Sequence, residues 1–279
     1  MQESAPLRKQ RVATLFDRVA DGYDNPSQRF FPFCADRLVD YLRPAPGERL
    51  LDVACGTGAL LSSGAQRVRP GGGRAAGIDL SERMLDRANN NIRKMALENV
   101  DLFPMDAEQL EFKPNHFDAI ACALSLYLFP APDAALASVL RVLRPGGRFA
   151  CSLFGPTAFA PLLDPLLAHL QRYGVTEAPL WRNLTDPARC RTLLEAAGFE
   201  AITVEQESIG YHLPRPEAWW EVVTHTSLRL LVEQLAPAEQ GQLRDAYLAE
   251  LEGAMGEDGL WLGVDTLFCT ARKPSGATS

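Results

Sequence analysis

The chain has no apolar run approaching the roughly 20 residues a helix needs to cross a bilayer, which excludes a membrane-spanning segment of that kind. Its first residues, Met1-Gln2-Glu3-Ser4-Ala5-Pro6, lack the apolar core of a secretion signal, so a soluble cytoplasmic protein is expected. Positive charge is scarce: 28 Lys and Arg stand against 35 Asp and Glu, a formal net charge of −7 with no basic run. Nucleic-acid binding leans on clustered cations that neutralise phosphates. Base-modifying chemistry needs an aromatic base-flipping clamp or a nucleophilic Pro-Cys, and neither is visible; no nucleic-acid partner is expected. Metal-ligand spacing of His, Cys and carboxylates is absent too, so no metal site is expected. The six cysteines, Cys34, Cys55, Cys122, Cys151, Cys190 and Cys269, are scattered through apolar segments and read as buried free thiols of a reducing compartment. There is no internal repeat, and the one low-complexity stretch is Pro70-Gly71-Gly72-Gly73. An apolar content of 47% over 279 residues is sufficient for one substantial core.

What is present begins with Leu50-Leu51-Asp52-Val53-Ala54-Cys55-Gly56-Thr57-Gly58, an apolar strand running into a small-residue loop. Leu50, Leu51 and Val53 suit a strand covered on both faces, and Gly56 and Gly58 remove side chains where the chain turns. Ala59-Leu60-Leu61 then opens a helix, completing the cofactor corner of a doubly wound α/β protein. A dinucleotide site would carry a third glycine, for close helix packing, where this chain has Leu61. Asp52, inside the strand, repels a pyrophosphate but accepts from an ammonium group. The corner therefore favours a zwitterionic nucleoside such as S-adenosylmethionine over a nicotinamide, which stays as the alternative.

Three further segments supply partners for this corner. Arg74-Ala75-Ala76-Gly77-Ile78-Asp79 reads as a second strand, with Ser81 as N-cap of the next helix. Asp79 lies 21 positions after Gly58 (79 − 58), where an acid takes both ribose hydroxyls. Asp106, after a third strand at Val100–Met105, is placed to accept from an adenine amine, with the Ala107 N–H facing a ring nitrogen. Phe117–Leu124 reads as a fourth strand whose tail, Ser125-Leu126-Tyr127, overlies the methyl-donor end. A helix from Asp133 to about Leu143 stops at Arg144-Pro145-Gly146-Gly147, a turn feeding a strand over Arg148–Leu153.

These motifs, in this order from Arg11 to Phe154, resemble the class I S-adenosylmethionine-dependent methyltransferases. Leu51–Gly58 is similar to the family's first motif, with Ala54 in place of its first glycine. The resemblance implies S-adenosylmethionine as cofactor, S-adenosylhomocysteine as product, and cofactor contacts from Asp52, Ala54, Gly56, Thr57, Gly58, Asp79, Leu80, Met84, Asp106, Ala107, Ala123 and Leu124. Leu15–Asp24 resembles the N-terminal helix of the ubiquinone and menaquinone C-methyltransferases, which implies that Tyr23 closes over the methionine end. Phe16 and Val19 of the same stripe read as core. The quinone enzymes carry Gly-Leu-Arg-Asn after the fourth strand where this chain has Leu124-Ser125-Leu126-Tyr127, which argues against a quinone ring as acceptor.

The carboxyl half departs from the simplest version of the fold. A helix near Ala160–Tyr173, a helix over Asp186–Ala197 and strands over Ala201–Leu213 and Trp261–Arg272 are expected. Roughly forty residues, Pro216 to Met255, separate the last two strands and look helical, in segments Trp219–Val223, Leu228–Leu235 and Gln240–Leu251. The expectation is a seven-stranded, mostly parallel Rossmann-like sheet. Residues 1–45 and 215–259 form a helical lid and cap, residues 46–214 and 260–273 the cofactor-binding core, and 274–279 a flexible tail. Trp219, Trp220, Phe30, Phe31 and His225 become candidates for the pocket of a small, apolar or aromatic acceptor. Methyl transfer is an in-line displacement that needs positioning and, for a protonated acceptor, a base. His225 and His212 are the candidate bases, and Tyr127 a candidate acceptor-orienting group; each also has a plain packing role to fill. A protein of this fold that holds the cofactor without transferring methyl is the remaining alternative.

Overall fold

A computed structural model describes residues 4–276. Seven strands form one sheet: β1 (Arg49–Val53), β2 (Arg74–Asp79), β3 (Val100–Pro104), β4 (Phe117–Ala123), β5 (Leu143–Phe154), β6 (Glu200–Leu213) and β7 (Leu260–Arg272), in the order β3-β2-β1-β4-β5-β7-β6. All neighbours pair parallel except β7, which is antiparallel to both β5 and β6. The sheet is the Rossmann-like, mostly parallel one expected from the sequence.

Strand alternation splits the interior in two. Leu51, Val53, Ile78 and Ile120 join one cluster, whereas Leu50, Ala75, Ala119 and Ala121 join another on the opposite face. The second face is covered by α2 (Phe30–Leu42), α3 (Ala59–Val68) and α4 (Glu82–Lys94), which contribute Leu38, Leu61 and Ala88 to it. The first face is covered by α5 (Pro132–Val142), α6 (Leu163–Arg172) and α7 (Pro187–Ala196). Parallel strands buried on both sides carry near-continuous apolar side chains, which is why β1 and β4 were legible as strands. Strand order reverses between β1 and β4, and the loops at their carboxyl ends open a crevice there.

Strand β5 and the helix after it start at other residues than the sequence reading gave. Strand β5 begins at Leu143, not Arg148, and runs through Pro145-Gly146-Gly147. That segment is an irregularity in the ladder, the β4 register jumping from Phe117↔Leu143 to Ala119↔Arg148, and it is held by paired amides with Lys273 beyond β7. The expected helix near Ala160 starts only at Leu163, beyond Pro161.

The segment between β6 and β7 holds α8 (Pro216–Thr224), α9 (Arg229–Val232) and α10 (Pro237–Ala254). Helix α9 is a single turn, shorter than the expected Leu228–Leu235, because Pro237 opens α10 at its first position with the Ala236 N–H donating to Glu239 at 2.9 Å. Trp219 of α8 is fully buried, its indole N–H donating to Tyr247 Oη of α10 at 2.8 Å. At the other end of the chain, the helix Ala5–Val19, α1 in chain order, packs on α4. This amino-terminal segment is tied to the β6–β7 insertion by Arg18–Glu233 at 3.0 Å and Ser27–Glu221 at 2.7 Å. Residues 277–279 of the expected tail lie outside the described residues.

Candidate active site

The loop after β1 is shaped by left-handed backbone. Ala54, Gly56 and Gly58 have φ of 55°, 52° and 86°. The turn aims the Gly56 N–H at Asp79 Oδ2, at 2.9 Å, so the first two strands are locked at their carboxyl ends. Leu61, at the position of a dinucleotide fingerprint's third glycine, fills the space above Gly77 of β2: a Cβ on Gly77 would stand 2.5 Å from Leu61 Cδ2. Here the small residue sits on the strand and the bulky one on the helix, the reverse of the nicotinamide arrangement, and that alternative falls.

Around the loop lie two clefts and a chamber. The first cleft, of about 90 Å³, is lined by Ile78, Asp79, Leu80, Met84, Asp106 and Ala107, and roofed by Lys9, Val12, Ala13 and Phe16 of α1. Asp79 accepts from the Gly56 and Ser81 amides, both at 2.9 Å. Burial raises its carboxyl above the ordinary range, and the surrounding amides oppose the rise. Asp106 accepts from the Glu108 amide at 2.9 Å and from Lys9 Nζ at 2.7 Å, and Lys9 also reaches Glu108. Lys9 was not among the residues singled out from sequence, since nothing in the local pattern of an exposed amphipathic helix links it to an acid 97 positions away.

The second cleft, of about 380 Å³, is lined on one side by Asp52, Ala54, Gly56 and Thr57 and on the other by Tyr23, Asp24, Gln28 and Arg29. Asp52 is 1% exposed, and neither carboxylate oxygen has a hydrogen-bond partner of good geometry. Burial, then the Asp79 charge, pushes its carboxyl well above the usual range. A buried, unpartnered acceptor facing a cleft fits an ammonium-bearing ligand. The Thr57 hydroxyl donates to Asp24 at 2.6 Å, anchoring the amino-terminal segment to the loop.

The chamber, a narrow space of about 20 Å³, is lined by Phe16, Phe31, Phe154, Phe159 and Trp181 together with Tyr23, Tyr127, Thr226 and Ser227. Tyr23 stacks on Phe31 at a centroid distance of 4.8 Å. Burial, then the charges of Asp79 and Asp24, pushes the Tyr23 hydroxyl up in pKa, and burial does the same to Tyr127. Tyr23 and Leu124 line all three spaces, which meet at these two residues. Leu124 is itself in left-handed backbone, φ 49°, held by the Ser152 carbonyl at 3.0 Å.

The cofactor residues singled out from sequence thus come together: Tyr23, Asp52, Ala54, Gly56, Thr57, Asp79, Leu80, Met84, Asp106, Ala107, Ala123 and Leu124 all line the clefts, and Gly58 caps α3 beside them. The histidines do not. His212 is exposed on edge strand β6, its ring against Trp261, away from the three spaces. His225 has Nδ1 donating to the Glu221 carbonyl at 2.9 Å and its Nε2 edge packed on Gly22, where a Cβ would stand 2.3 Å away. It lines none of the three spaces either, because that helix-terminal hydrogen bond turns the ring toward Gly22. Trp219 and Trp220 are core, not pocket; of the Phe30-Phe31 pair only Phe31 reaches the chamber. The chamber residues Phe154, Phe159 and Trp181 escaped notice because they converge from separate segments with no shared periodicity.

Residues 44–214 match the family described as Methyltransferase domain. The chain is 30% identical to nocamycin O-methyltransferase of Saccharothrix syringae over 95% of its own length and 99% of the relative's. It is 35% identical to aklanonic acid methyltransferase DauC of Streptomyces sp. strain C5, over 76% of this chain and 95% of that one. Among solved structures, the [4+2]-cyclase SpnF superposes with a TM-score of 0.63 at 24% identity, covering 99% of this chain and 98% of that one, a likeness of fold. The chain belongs to the S-adenosylmethionine-dependent methyltransferases, with S-adenosylmethionine as cofactor and a small molecule as methyl acceptor.

Proposed function

We propose that the aromatic chamber holds an apolar or aromatic small molecule and presents it to the methyl group at the junction marked by Tyr23 and Leu124. The observation carrying this reading is the convergence of two clefts and one chamber on those two residues. When bound, S-adenosylmethionine supplies the methyl group as an electrophile on a sulfonium. Asp79 is assigned to the ribose hydroxyls, Asp106 and Ala107 to the adenine edge, and Asp52 to the ammonium. Tyr23 closes over the methionine end, and Tyr127 orients the acceptor. The amino-terminal residues 1–45 and the insertion 215–259 act together as a lid that excludes water, the condition under which positioning contributes most. Net negative charge and the free buried thiols support a cytoplasmic protein without a nucleic-acid partner.

Two measurements test the reading. S-adenosylhomocysteine at a hundred times its Kd is expected to add about 2.7 kcal/mol of stability in thermal unfolding, and NADH none; protection by NADH alone would overturn the cofactor assignment. Asp79→Ala is expected to weaken S-adenosylhomocysteine by about 1.5–3 kcal/mol through lost charge-assisted hydrogen bonds. Unchanged affinity by calorimetry would sink the ribose role.

A further inference from the structure

We infer that Gln28 is a specificity residue of the cofactor site: its side-chain amide donates to the α-carboxylate of the methionine moiety, so that the second cleft selects an amino-acid zwitterion over a nucleoside bearing an ammonium group alone. This rests on the cofactor reading above and deepens it, since the carboxylate has no assigned partner there. Gln28 ends the short turn Pro26–Gln28 and is 1% exposed, yet it lines the second cleft. Its Nε2 has no hydrogen-bond partner. A chain of bonds that starts at the backbone fixes which way the amide faces. The Ser27 N–H can only donate, and it donates to Asn25 Oδ1 at 2.9 Å. Asn25 therefore turns Nδ2 toward Gln28, and that donor, 3.2 Å away, requires Gln28 to present Oε1. The Gln28 Nε2 is left facing away from Asn25 with both hydrogens free. The turn is held from two sides: the Ser27 hydroxyl donates to Glu221 at 2.7 Å, and the Tyr211 hydroxyl donates to the Ser27 carbonyl at 2.8 Å.

The other polar groups of the cleft are engaged or complementary. Asp24 accepts from Thr57, Arg87 and Asn91. Among the described residues lining the cleft, the buried side-chain polar atoms without partners are the two Asp52 oxygens and Gln28 Nε2. The first two are acceptors and the third is a donor, and each is unfavourable in the fold until it is matched. A ligand that matches all of them carries an ammonium group and an anionic oxygen on one small frame, as the end of an α-amino acid does. A carboxylate brought in near Asp52 also calls for positive charge. Arg29 lines the same cleft and supplies it, its guanidinium 4.0 Å from the centroid of the Tyr211 ring.

The test removes the carboxylate from the ligand and the donor from the protein. S-adenosylhomocysteine and its decarboxylated form, which keeps the ammonium group, are titrated by calorimetry into the wild-type protein and into Gln28→Leu and Gln28→Met, the second of which keeps the length of the side chain. The wild type is expected to bind S-adenosylhomocysteine at least about tenfold more tightly than the decarboxylated form. Either substitution is expected to weaken S-adenosylhomocysteine by about tenfold without weakening the decarboxylated form, Arg29 being intact throughout. A wild type without preference overturns the inference. So does a preference that survives in the variants, whether both ligands weaken alike, as a purely structural role would have it, or neither does. If neither ligand binds the wild type, it is the cofactor reading that fails, and the two failures are distinguishable.

Discussion

Ala54 sits in left-handed backbone where a glycine is the unstrained choice, at φ 55° and facing both clefts. A non-glycine residue there costs roughly 1–2 kcal/mol, against about 0.4–1 kcal/mol of extra unfolded-state entropy that glycine brings. Ala54→Gly is therefore expected to stabilise the protein by about 0.5–1 kcal/mol in urea unfolding; a loss of stability would show the backbone strain to be absent. Asp52 poses the opposite case, a buried acid whose charge the proposed ammonium contact would offset. Its carboxyl is raised on folding, chiefly by burial, so its ionisation opposes the fold. The cofactor-free protein is expected to lose stability as pH rises through that raised value, whereas ligand binding favours the charged form and strengthens over the same range. Asp52→Asn should shrink the pH-dependent loss, raise cofactor-free stability by about 1 kcal/mol, and weaken S-adenosylhomocysteine. A variant that loses stability without losing affinity would refute the assignment. Both residues were legible in the sequence, because strand, acid and small-residue loop are contiguous; the histidines misled because the edge position of β6 exposes His212, and a bond to the Glu221 carbonyl turns His225 onto Gly22.

Helix α1 roofs the first cleft and makes polar contacts to the body at its edges: Lys9 to Asp106, Asp17 to Ser81, Arg18 to Glu233. Partly exposed ion pairs contribute about 0–1 kcal/mol each, so burial of Leu15 and Val19 against Met84 and Leu230 is the larger part of what holds α1 in place. On the assignment proposed above, S-adenosylhomocysteine would fill the space under Val12, Ala13 and Phe16, and amide hydrogen exchange over residues 8–19 is expected to slow on binding more than in β1 or β4. Equal protection of roof and sheet would argue against a ligand beneath α1. The sequence revealed this helix through its stripe of Leu15, Phe16 and Val19, and revealed β1 and β4 through runs that are apolar but for Asp52 and Asp118. It concealed the Pro145–Gly147 irregularity of β5, because a Pro-Gly-Gly segment in isolation reads as a turn and only the partner Lys273 amides keep it in the ladder.

At the scale of the molecule, the insertion between β6 and β7 is fused to the core that α5, α6 and α7 share. Trp219→Ala is expected to cost about 3–5 kcal/mol through the cavity left beneath α8, with S-adenosylhomocysteine affinity unchanged, since Trp219 touches neither cleft. Loss of affinity in the folded variant would mean that core and clefts are coupled. The chain on either side of the insertion is already paired, Leu213 opposite Leu260, so the two ends are held together by the ladder whatever lies between them. Replacing one inserted segment by another adds little closure entropy; the demand on a substitute is an apolar underside to meet the sheet. The same platform therefore tolerates exchange of the segment above it, while Asp52 and Asp79, at the carboxyl ends of β1 and β2, stay where the sheet puts them.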